Sequence, residues 1–171
     1  NMGLAQDLNT IVDAANLLKD YNIQFVFIGN GVCKAEVKKK AEILSEKIKF
    51  YNPMRRRELI KYIKQSAVCL VPLKKKKLFR TALPSKMFEY MACGKPVIVG
   101  INGEAETIVN TSKSGVCVHP EDPEMLSKAI LKYFNDKEKR KIDGENGLNY
   151  VTNNLQKEYL ISNLMKEINK S

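Results

Sequence analysis

Residues 83–100 of this 171-residue chain read "LPSKMFEYMACGKPVIVG", and this stretch decides the fold. Pro84 and Ser85 precede a run with helical spacing, Gly94 ends that run, and a β-branched segment follows at once. The order is that of a loop, a helix, a tight turn and a buried strand. One acidic residue, Glu89, lies on the helix. On its own, such a glutamate is more often a surface charge than a ligand contact.

The same alternation of strand and helix patterns continues along the whole chain. Short apolar runs at 23–29, 48–51, 67–73, 96–100 and 115–119 predict strands, and helical patterns separate them. This predicts an α/β fold: a Rossmann-like, doubly wound parallel sheet with helices on both faces. Three further helical segments, 123–136, 137–151 and 155–169, predict a helical C-terminal tail. Because no linker or repeat divides the chain, residues 1–171 are predicted to form one domain.

Composition excludes several classes of site. The apolar fraction of 44% is that of a globular protein, and no apolar stretch is long enough to span a membrane. Four cysteines without a CxxC pair and a single histidine predict no structural zinc, no disulfide framework and a cytoplasmic location. A net charge of +10 suits nucleic acid, an anionic membrane or a phosphate-bearing ligand equally well.

Ligands of doubly wound sheets bind beyond the carboxyl ends of the strands. The candidate loops are therefore 29–34, 51–56, 72–85 and 100–104. In the first of them, Gly29 and Gly31 give a strand that ends in Gly-x-Gly, which permits a tight turn or a close backbone approach to a ligand. The third glycine of the dinucleotide fingerprint is missing, so no NAD site is predicted. A plain turn and a ligand contact are equally compatible with these two glycines.

The segment before the helix of Glu89 is basic. Residues 74–86 carry five lysines and Arg80. The start of a helix attracts phosphate, and Ser85 is predicted to cap this helix beside Lys86. Backbone amides and Lys86 could hold a diphosphate there, although a solvated basic loop fits the same residues. Glu89, one turn further on, could accept hydrogen bonds from the vicinal hydroxyls of a ribose.

The stretch at 83–100 resembles the donor-site signature of the GT-B glycosyltransferases of the family-4, or group 1, type. The segments "GLAQDLNTIVDAANLL", "FVFIGNGVCK" and "GINGEAETIV" follow the family's order, so the resemblance covers essentially the whole chain. Within the family, the chain is most similar to bacterial enzymes of surface-polysaccharide assembly. The resemblance implies the C-terminal, donor-binding domain of a two-domain enzyme, without the acceptor domain and without the domain's first strand. It also implies transfer of a sugar from a nucleotide-sugar with retention of the anomeric configuration, and without a metal or other cofactor. The resemblance to the subfamily indicates UDP as the nucleotide.

The resemblance assigns site residues one by one. Glu89 matches the second glutamate of the E-x7-E motif, which holds the ribose. Thr81 stands where the first glutamate, which touches the donor sugar, is expected. Gln6 falls where the family has a phosphate-binding lysine, so Lys86 and Arg80 become the candidate stabilisers of the leaving group. The remaining donor-binding candidates are Gly3 in the turn at the start of the chain, Gly29, Gly31, Ser85, Met54 and Arg56 in the base-contacting loop, and Gly103 near the sugar.

Two alternatives stay open at the level of sequence. One is a nucleotide-sugar epimerase of the same architecture. The other is a non-catalytic basic domain that binds nucleic acid or an anionic membrane, with steep salt dependence. The glycosyltransferase interpretation implies a nucleotide-sugar donor as partner and no nucleic acid. It places an acceptor sugar or lipid-linked glycan on the missing domain, with possible peripheral contact of the full enzyme with the inner membrane face.

Overall fold

The computed structural model describes the backbone of residues 2–76, 79 and 81–168, and side chains up to residue 154. Strands and helices alternate. The strands are β1 (Phe25–Ile28), β2 (Ile48–Tyr51), β3 (Cys69–Pro72), β4 (Val97–Gly100) and β5 (Gly115–Val118). The helices are α1 (Leu8–Leu17), α2 (Lys34–Lys40), α3 (Arg56–Gln65), α4 (Ser85–Ala92), α5 (Glu104–Ser112), α6 (Pro123–Asn135) and α7 (Lys137–Ile168), with a 3-10 turn at Glu42–Leu44.

Every strand pairing is parallel, and the strands form two parts. In one part β1 pairs with β2, with Phe25 level with Ile48. In the other, β4 lies between β3 and β5, with Val97 level with both Cys69 and Gly115. The two parts are not hydrogen-bonded to each other through any described strand.

Helices cover both faces, and two apolar cores result. On one face, Ala14 and Ala15 of α1 pack in a core with Phe27 of β1, Ile98 of β4 and Ile130 of α6. On the other face, the completely buried Met87 and Met91 of α4 pack with Val97 and Val99 of β4. β4 alternates between the two cores, which is why its sequence is apolar throughout. The predicted α/β class, with a parallel sheet covered by helices, is confirmed.

Two expectations about local structure were wrong. Pro84, not Ser85, is the N-cap of α4; Ser85 is the first helical residue and makes no side-chain capping bond. Proline is acceptable here because the start of a helix leaves its first N–H groups unpaired anyway. The tail segments 137–151 and 155–169 do not form separate helices: α7 runs without a break to Ile168.

Candidate functional site

The loops that follow the strands meet at one edge of the molecule. The ammonium group of Lys34 donates hydrogen bonds to the Gly29 carbonyl at 3.0 Å and to the Asn52 side-chain oxygen at 2.9 Å. Lys34 thereby joins the loop after β1 to the loop after β2 and places a cation at the carboxyl edge.

A second set of contacts holds the loops after β3 and β5. Asp7, which is buried, accepts a hydrogen bond from the Glu121 amide at 3.1 Å. The Lys75 amide donates in turn to the Glu121 carboxylate at 3.4 Å. Glu121 adopts a left-handed backbone conformation with φ of 62°, which costs energy for a residue with a Cβ. The start of α1 and the two loops are therefore fixed to one another.

The two glycines after β1 have different surroundings. Both have positive φ, 134° at Gly29 and 156° at Gly31. A Cβ at Gly31 would lie 2.4 Å from the carbonyl oxygen of Met2. The Met2 backbone passes so close to position 31 that a side chain does not fit there. No ligand contact is needed to explain this glycine. Gly29 remains at the carboxyl edge, with its carbonyl bound by Lys34.

Gly3 and Gln6 form a closed turn just before α1. The Gln6 side-chain oxygen accepts from the Gly3 amide at 2.9 Å, and the Gln6 amide donates to the Gly3 carbonyl at 3.2 Å. Both residues are partly exposed. An uncharged side chain that is engaged in its own turn supplies no cation for a phosphate group.

The loop after β2 leads into an aromatic surface. Met54 lines a shallow groove along α3 with Tyr62, and the Tyr62 ring lies 5.3 Å from that of Tyr51. Arg56 is the first residue of α3 and is exposed. Apolar faces beside a helix that begins with arginines suit a planar, anionic ligand.

α4 presents Glu89 to solvent. Met87 and Met91 face the core, and Glu89 lies on the opposite, exposed face. Among the described residues, its carboxylate has no hydrogen-bond or ion-pair partner. Lys86 is half-buried one turn earlier, and Ser85 and Thr81 are exposed. Arg80, the second candidate cation, lies outside the described residues.

Gly103 lies after β4, at the start of α5. Its φ of 104° is in the region that favours glycine. Its amide donates to the Glu106 carboxylate at 3.2 Å, and its carbonyl accepts from the Thr107 hydroxyl at 3.2 Å. The loop after β4 therefore ends in a helix start that is fixed by its own capping contacts.

Sequence reasoning included Lys34 in the candidate loop 29–34 without giving it a role, and it did not select Asp7. The partner of Asp7 is the Glu121 amide, 114 positions away, and Lys34 contacts Asn52, 18 positions away. His119 is exposed directly after β5, as expected of a residue at a strand end, and all four cysteines are free.

Two negative findings concern the part of the chain that the structure describes. No three His, Cys, Asp or Glu side chains in it come together in a way that could hold a metal ion. None of its helices is both long enough and apolar enough to cross a bilayer.

The fold and the edge define a class: a parallel α/β domain whose strand-end loops meet at one edge of the sheet, which is where ligands of such folds generally bind. Residues 2–150 match the model of the glycosyl transferases group 1 family. The chain belongs to that family, and the resemblance noted in the sequence is confirmed. This assignment favours the glycosyltransferase interpretation over the epimerase and over the basic binding domain.

Two curated relatives carry related names. The chain is 29% identical to a protein of Pseudomonas aeruginosa named as a probable glycosyltransferase, WbjE, over 76% of this chain and 33% of the relative. It is 26% identical to a protein of Escherichia coli named as a glycosyl transferase of colanic acid biosynthesis, WcaI, with the same two shares. The chain thus spans about a third of the length of these relatives.

Solved structures of GT-B glycosyltransferases share the fold. The C-terminal domain of the group 1 protein LpcC from Francisella tularensis superposes with a TM-score of 0.72, at 20% identity, over 88% of this chain and 80% of that one. Anabaena Alr3699/HepE, solved with UDP and glucose, superposes with a TM-score of 0.71, at 18% identity, over 95% of this chain and 46% of that one.

Proposed function

We propose that residues 1–171 are the donor-binding domain of a retaining glycosyltransferase that uses a UDP-sugar in surface-polysaccharide or glycolipid synthesis. The observation that carries this proposal is Glu89: an exposed carboxylate that has no hydrogen-bond or ion-pair partner among the described residues, on a helix that begins at the carboxyl edge of the sheet. Because the chain belongs to the glycosyl transferases group 1 family, we assign that carboxylate a role in binding the donor for sugar transfer. The UDP in the Alr3699/HepE structure and the biosynthetic name of WcaI support the donor and the pathway class.

Different residues are assigned to bind the ribose, the base, the diphosphate and the sugar of the donor. Glu89 accepts hydrogen bonds from the two ribose hydroxyls, and the loop with Met54 and Arg56 contacts the base. The amides at the start of α4 and Lys86 bind the diphosphate, and Arg80 is assigned as a second cation that stabilises the charge developing on the leaving group. Gly103 and Thr81 lie toward the sugar. Gly3, Gln6, Gly29, Gly31 and Ser85 shape the floor of the site.

The reaction transfers the sugar from the nucleoside diphosphate to an acceptor, which another domain of the parent protein holds. The diphosphate leaves with the bonding electrons, so stabilising its negative charge lowers the barrier. None of the assigned roles requires a metal or a cofactor. We place the parent enzyme in the cytoplasm, at most peripherally bound to the inner membrane face through surfaces outside this domain. The assigned residues contact only the donor, so a donor-binding domain by itself should bind donor weakly and transfer nothing.

The test is calorimetric titration of UDP, GDP and ADP into the protein that contains this chain. Hydrogen bonds to a charged group contribute about 1.5–3 kcal/mol, so Glu89→Ala should weaken UDP binding about 10- to 100-fold. The matched control is Glu138→Ala. Glu138 is also an exposed helical glutamate, but it lies in the first turn of α7, away from the strand-end loops.

Three results would contradict the proposal. They are an absence of UDP binding, equal losses in the Glu89→Ala and Glu138→Ala variants, and nucleotide binding that vanishes with salt regardless of the base. Retention is tested separately: the anomeric configuration of the product, read by NMR, should match that of the donor.

A further inference from the structure

Two neighbouring side chains at the strand-end edge have hydrogen-bond donors that no described residue uses. They are Lys34, the first residue of α2, and Asn52, directly after β2, and together they form the Lys34–Asn52 corner. We propose that Lys34 selects the nucleobase of the nucleotide-sugar at this corner, and favours bases with a carbonyl oxygen over bases with an exocyclic amino group. This assignment rests on the proposed function, because it concerns the base of the same nucleotide.

The ammonium group of Lys34 is held at the edge of the sheet. It donates to the Gly29 carbonyl at 3.0 Å and to Oδ1 of Asn52 at 2.9 Å. The Gly29 amide donates in turn to the Tyr51 carbonyl at 3.1 Å, which joins the ends of β1 and β2 beside it. A lysine at the start of a helix is unfavourable, because the partial charge there is positive. The two acceptors offset this repulsion and fix the position of the side chain.

The two bonds leave one N–H of the ammonium group over. An ammonium group has three N–H donors and no acceptor. Among the residues that the structure describes, Lys34 has no third acceptor. Since Lys34 is only half-buried, the remaining N–H is accessible to a ligand. A ligand atom that pairs with it must be an acceptor.

Asn52 adds a second donor, whose orientation follows from the first contact. Because an ammonium group can only donate, the Asn52 side chain turns its oxygen, and not its nitrogen, toward Lys34. The Nδ2 group then points away from Lys34, and no residue in the described part of the chain accepts a hydrogen bond from it. Asn52 is exposed. The two side chains therefore offer N–H donors to a ligand from adjacent positions.

The Lys34–Asn52 corner borders the surface that we assign to the base. Met54 is two residues beyond Asn52, so their Cα atoms are at most about 7 Å apart. Tyr51 directly precedes Asn52, and its ring lies 5.3 Å from that of Tyr62 in the aromatic surface along α3. A planar base on these apolar faces can turn its edge, which carries the carbonyl or amino group, toward the corner.

The donors at the corner distinguish two classes of base. Uracil and guanine carry a carbonyl oxygen, which accepts hydrogen bonds, at the position where cytosine and adenine carry an amino group, which donates them. An amino group at the corner would set donors against each other and leave the Lys34 N–H unpaired. UDP should therefore bind better than CDP, and GDP better than ADP. The corner does not distinguish UDP from GDP, since both bases present a carbonyl oxygen.

The experiment is calorimetric titration of UDP, CDP, GDP and ADP into the protein that contains this chain. Without substitution, UDP should bind about 10- to 100-fold more tightly than CDP, and GDP should exceed ADP by a similar ratio. Lys34→Met keeps the length of the side chain, removes its N–H groups, and should bring both ratios below about threefold. The lost positive charge weakens all four nucleotides alike through the diphosphate, so the ratios isolate the contact to the base.

Lys40→Met is the matched control. Lys40 is the last residue of the same helix, and its ammonium group pairs with the Asp13 carboxylate at 2.7 Å. The substitution removes the same charge from α2 without touching the Lys34–Asn52 corner. Both ratios should therefore stay as they are in the unsubstituted protein.

Asn52→Asp changes the polarity of the corner without breaking its contact. An aspartate has nearly the same shape, still accepts from Lys34, and offers a ligand only acceptors. It should favour the amino bases, so the ratio of UDP to CDP affinity should fall at least about tenfold. Because this substitution is nearly isosteric and lies at an exposed position, its result decides the assignment even if Lys34→Met fails to fold by circular dichroism.

The assignment of Lys34 and the proposed function fail in different ways. Equal binding of UDP and CDP by the unsubstituted protein would overturn the assignment, as would ratios that Lys34→Met or Asn52→Asp leaves unchanged. UDP binding that still depends on Glu89 would then leave the proposed function standing. Equal changes of the ratios in Lys34→Met and Lys40→Met would also overturn the assignment. If none of the four nucleotides binds, both are wrong.

Discussion

The two parts of the sheet share the same sequence pattern and differ in what surrounds them. β4 is paired on both sides, and Val97 and Val99 are completely buried. Among the described strands, β1 is paired on one side only, and Val26 at its centre is 44% exposed. The two strands are both β-branched and apolar, so the difference between them lies in their surroundings and not in their sequence.

The helices repeat this difference. α7 approaches the α4–β4 corner closely at two glycines: a Cβ at Gly144 would lie 2.3 Å from the Gly94 carbonyl oxygen, and one at Gly147 would lie 3.1 Å from Met91. α3, which lies next to the two-stranded part, makes no comparably close contact at a glycine. The helix that packs on the three-stranded part is therefore positioned by contacts that leave no room for an added methyl group.

The largest effect is expected from Gly115→Ala in the three-stranded part. A Cβ at Gly115 in β5 would lie 1.9 Å from the Val97 carbonyl oxygen. Relief requires β5 to move away from β4, so the variant should lose about 3 kcal/mol of unfolding free energy or more. At this chain length that corresponds to a fall in Tm of roughly 10 °C, measured by denaturation followed by circular dichroism.

Gly100→Ala is the matched control, since Gly100 is also a glycine at a strand end in the same part. Its nearest neighbour, the Pro72 Cα, would lie at 3.5 Å from the added Cβ, which is ordinary contact. The control should change the unfolding free energy by less than about 1 kcal/mol. Equal effects of the two substitutions would mean that β5 is not packed as tightly as described.

A smaller effect is expected where α6 meets α7. The Tyr133 hydroxyl donates to the buried Asp143 carboxylate at 2.6 Å, and Lys139 pairs with the same carboxylate at 2.8 Å. Burial, together with the hydrogen bond to Asp143, raises the pKa of Tyr133, so it is the neutral hydroxyl that donates. Asp143→Ala leaves that hydroxyl buried without an acceptor and should cost about 2 kcal/mol in urea unfolding.

The hydroxyl contribution can be isolated by a double-mutant cycle. Tyr133→Phe removes the hydroxyl that Asp143 accepts from, so Asp143→Ala should cost about 1 kcal/mol less in that background. If the cost were the same in both backgrounds, the pair would not be coupled, and the corner would be held by apolar packing alone.

The sequence predicted the order and type of the elements because each strand is short, apolar and bounded by turn residues. It could not predict that the sheet divides, since β1 and β4 have similar sequences and differ only in their neighbours. Ser85 was assigned as a cap because serine is the more frequent capping residue, whereas the backbone uses Pro84. α7 continues through residues 152–154 because no proline or glycine there ends it.

The candidate site was predictable to the level of loops. The carboxyl-end rule selected the edge where the strand-end loops meet, and the family signature selected Glu89; both assignments stay predictions. Asp7 was not predicted because its partner, the Glu121 amide, lies 114 positions away in the chain. Lys34 lay within the candidate loop 29–34 but was given no role. Its bond to Asn52 depends on the spacing of β1 and β2, which periodicity does not reveal.

The smallest effect concerns thiol reactivity and leaves the fold intact. Burial raises the pKa of Cys69 to about 11 and that of Cys117 to about 12, both in the three-stranded part. Cys33, beside β1, is only half-buried. Because the thiolate is the reactive form, iodoacetamide at pH 8 should label Cys33 at least about ten times faster than Cys69 or Cys117, as read by mass spectrometry of digests.

The same pKa shifts set the direction of a pH effect. A thiol whose pKa is raised by folding favours the folded state while it stays protonated, so this stabilisation is complete below about pH 9 and is lost as the pH rises toward 11. Labelling of Cys69 should accelerate over that range together with a falling denaturation midpoint. Rapid labelling of Cys69 at pH 8 would show that β3 opens readily in spite of its burial, and the contrast in thiol reactivity between the two parts would then be lost.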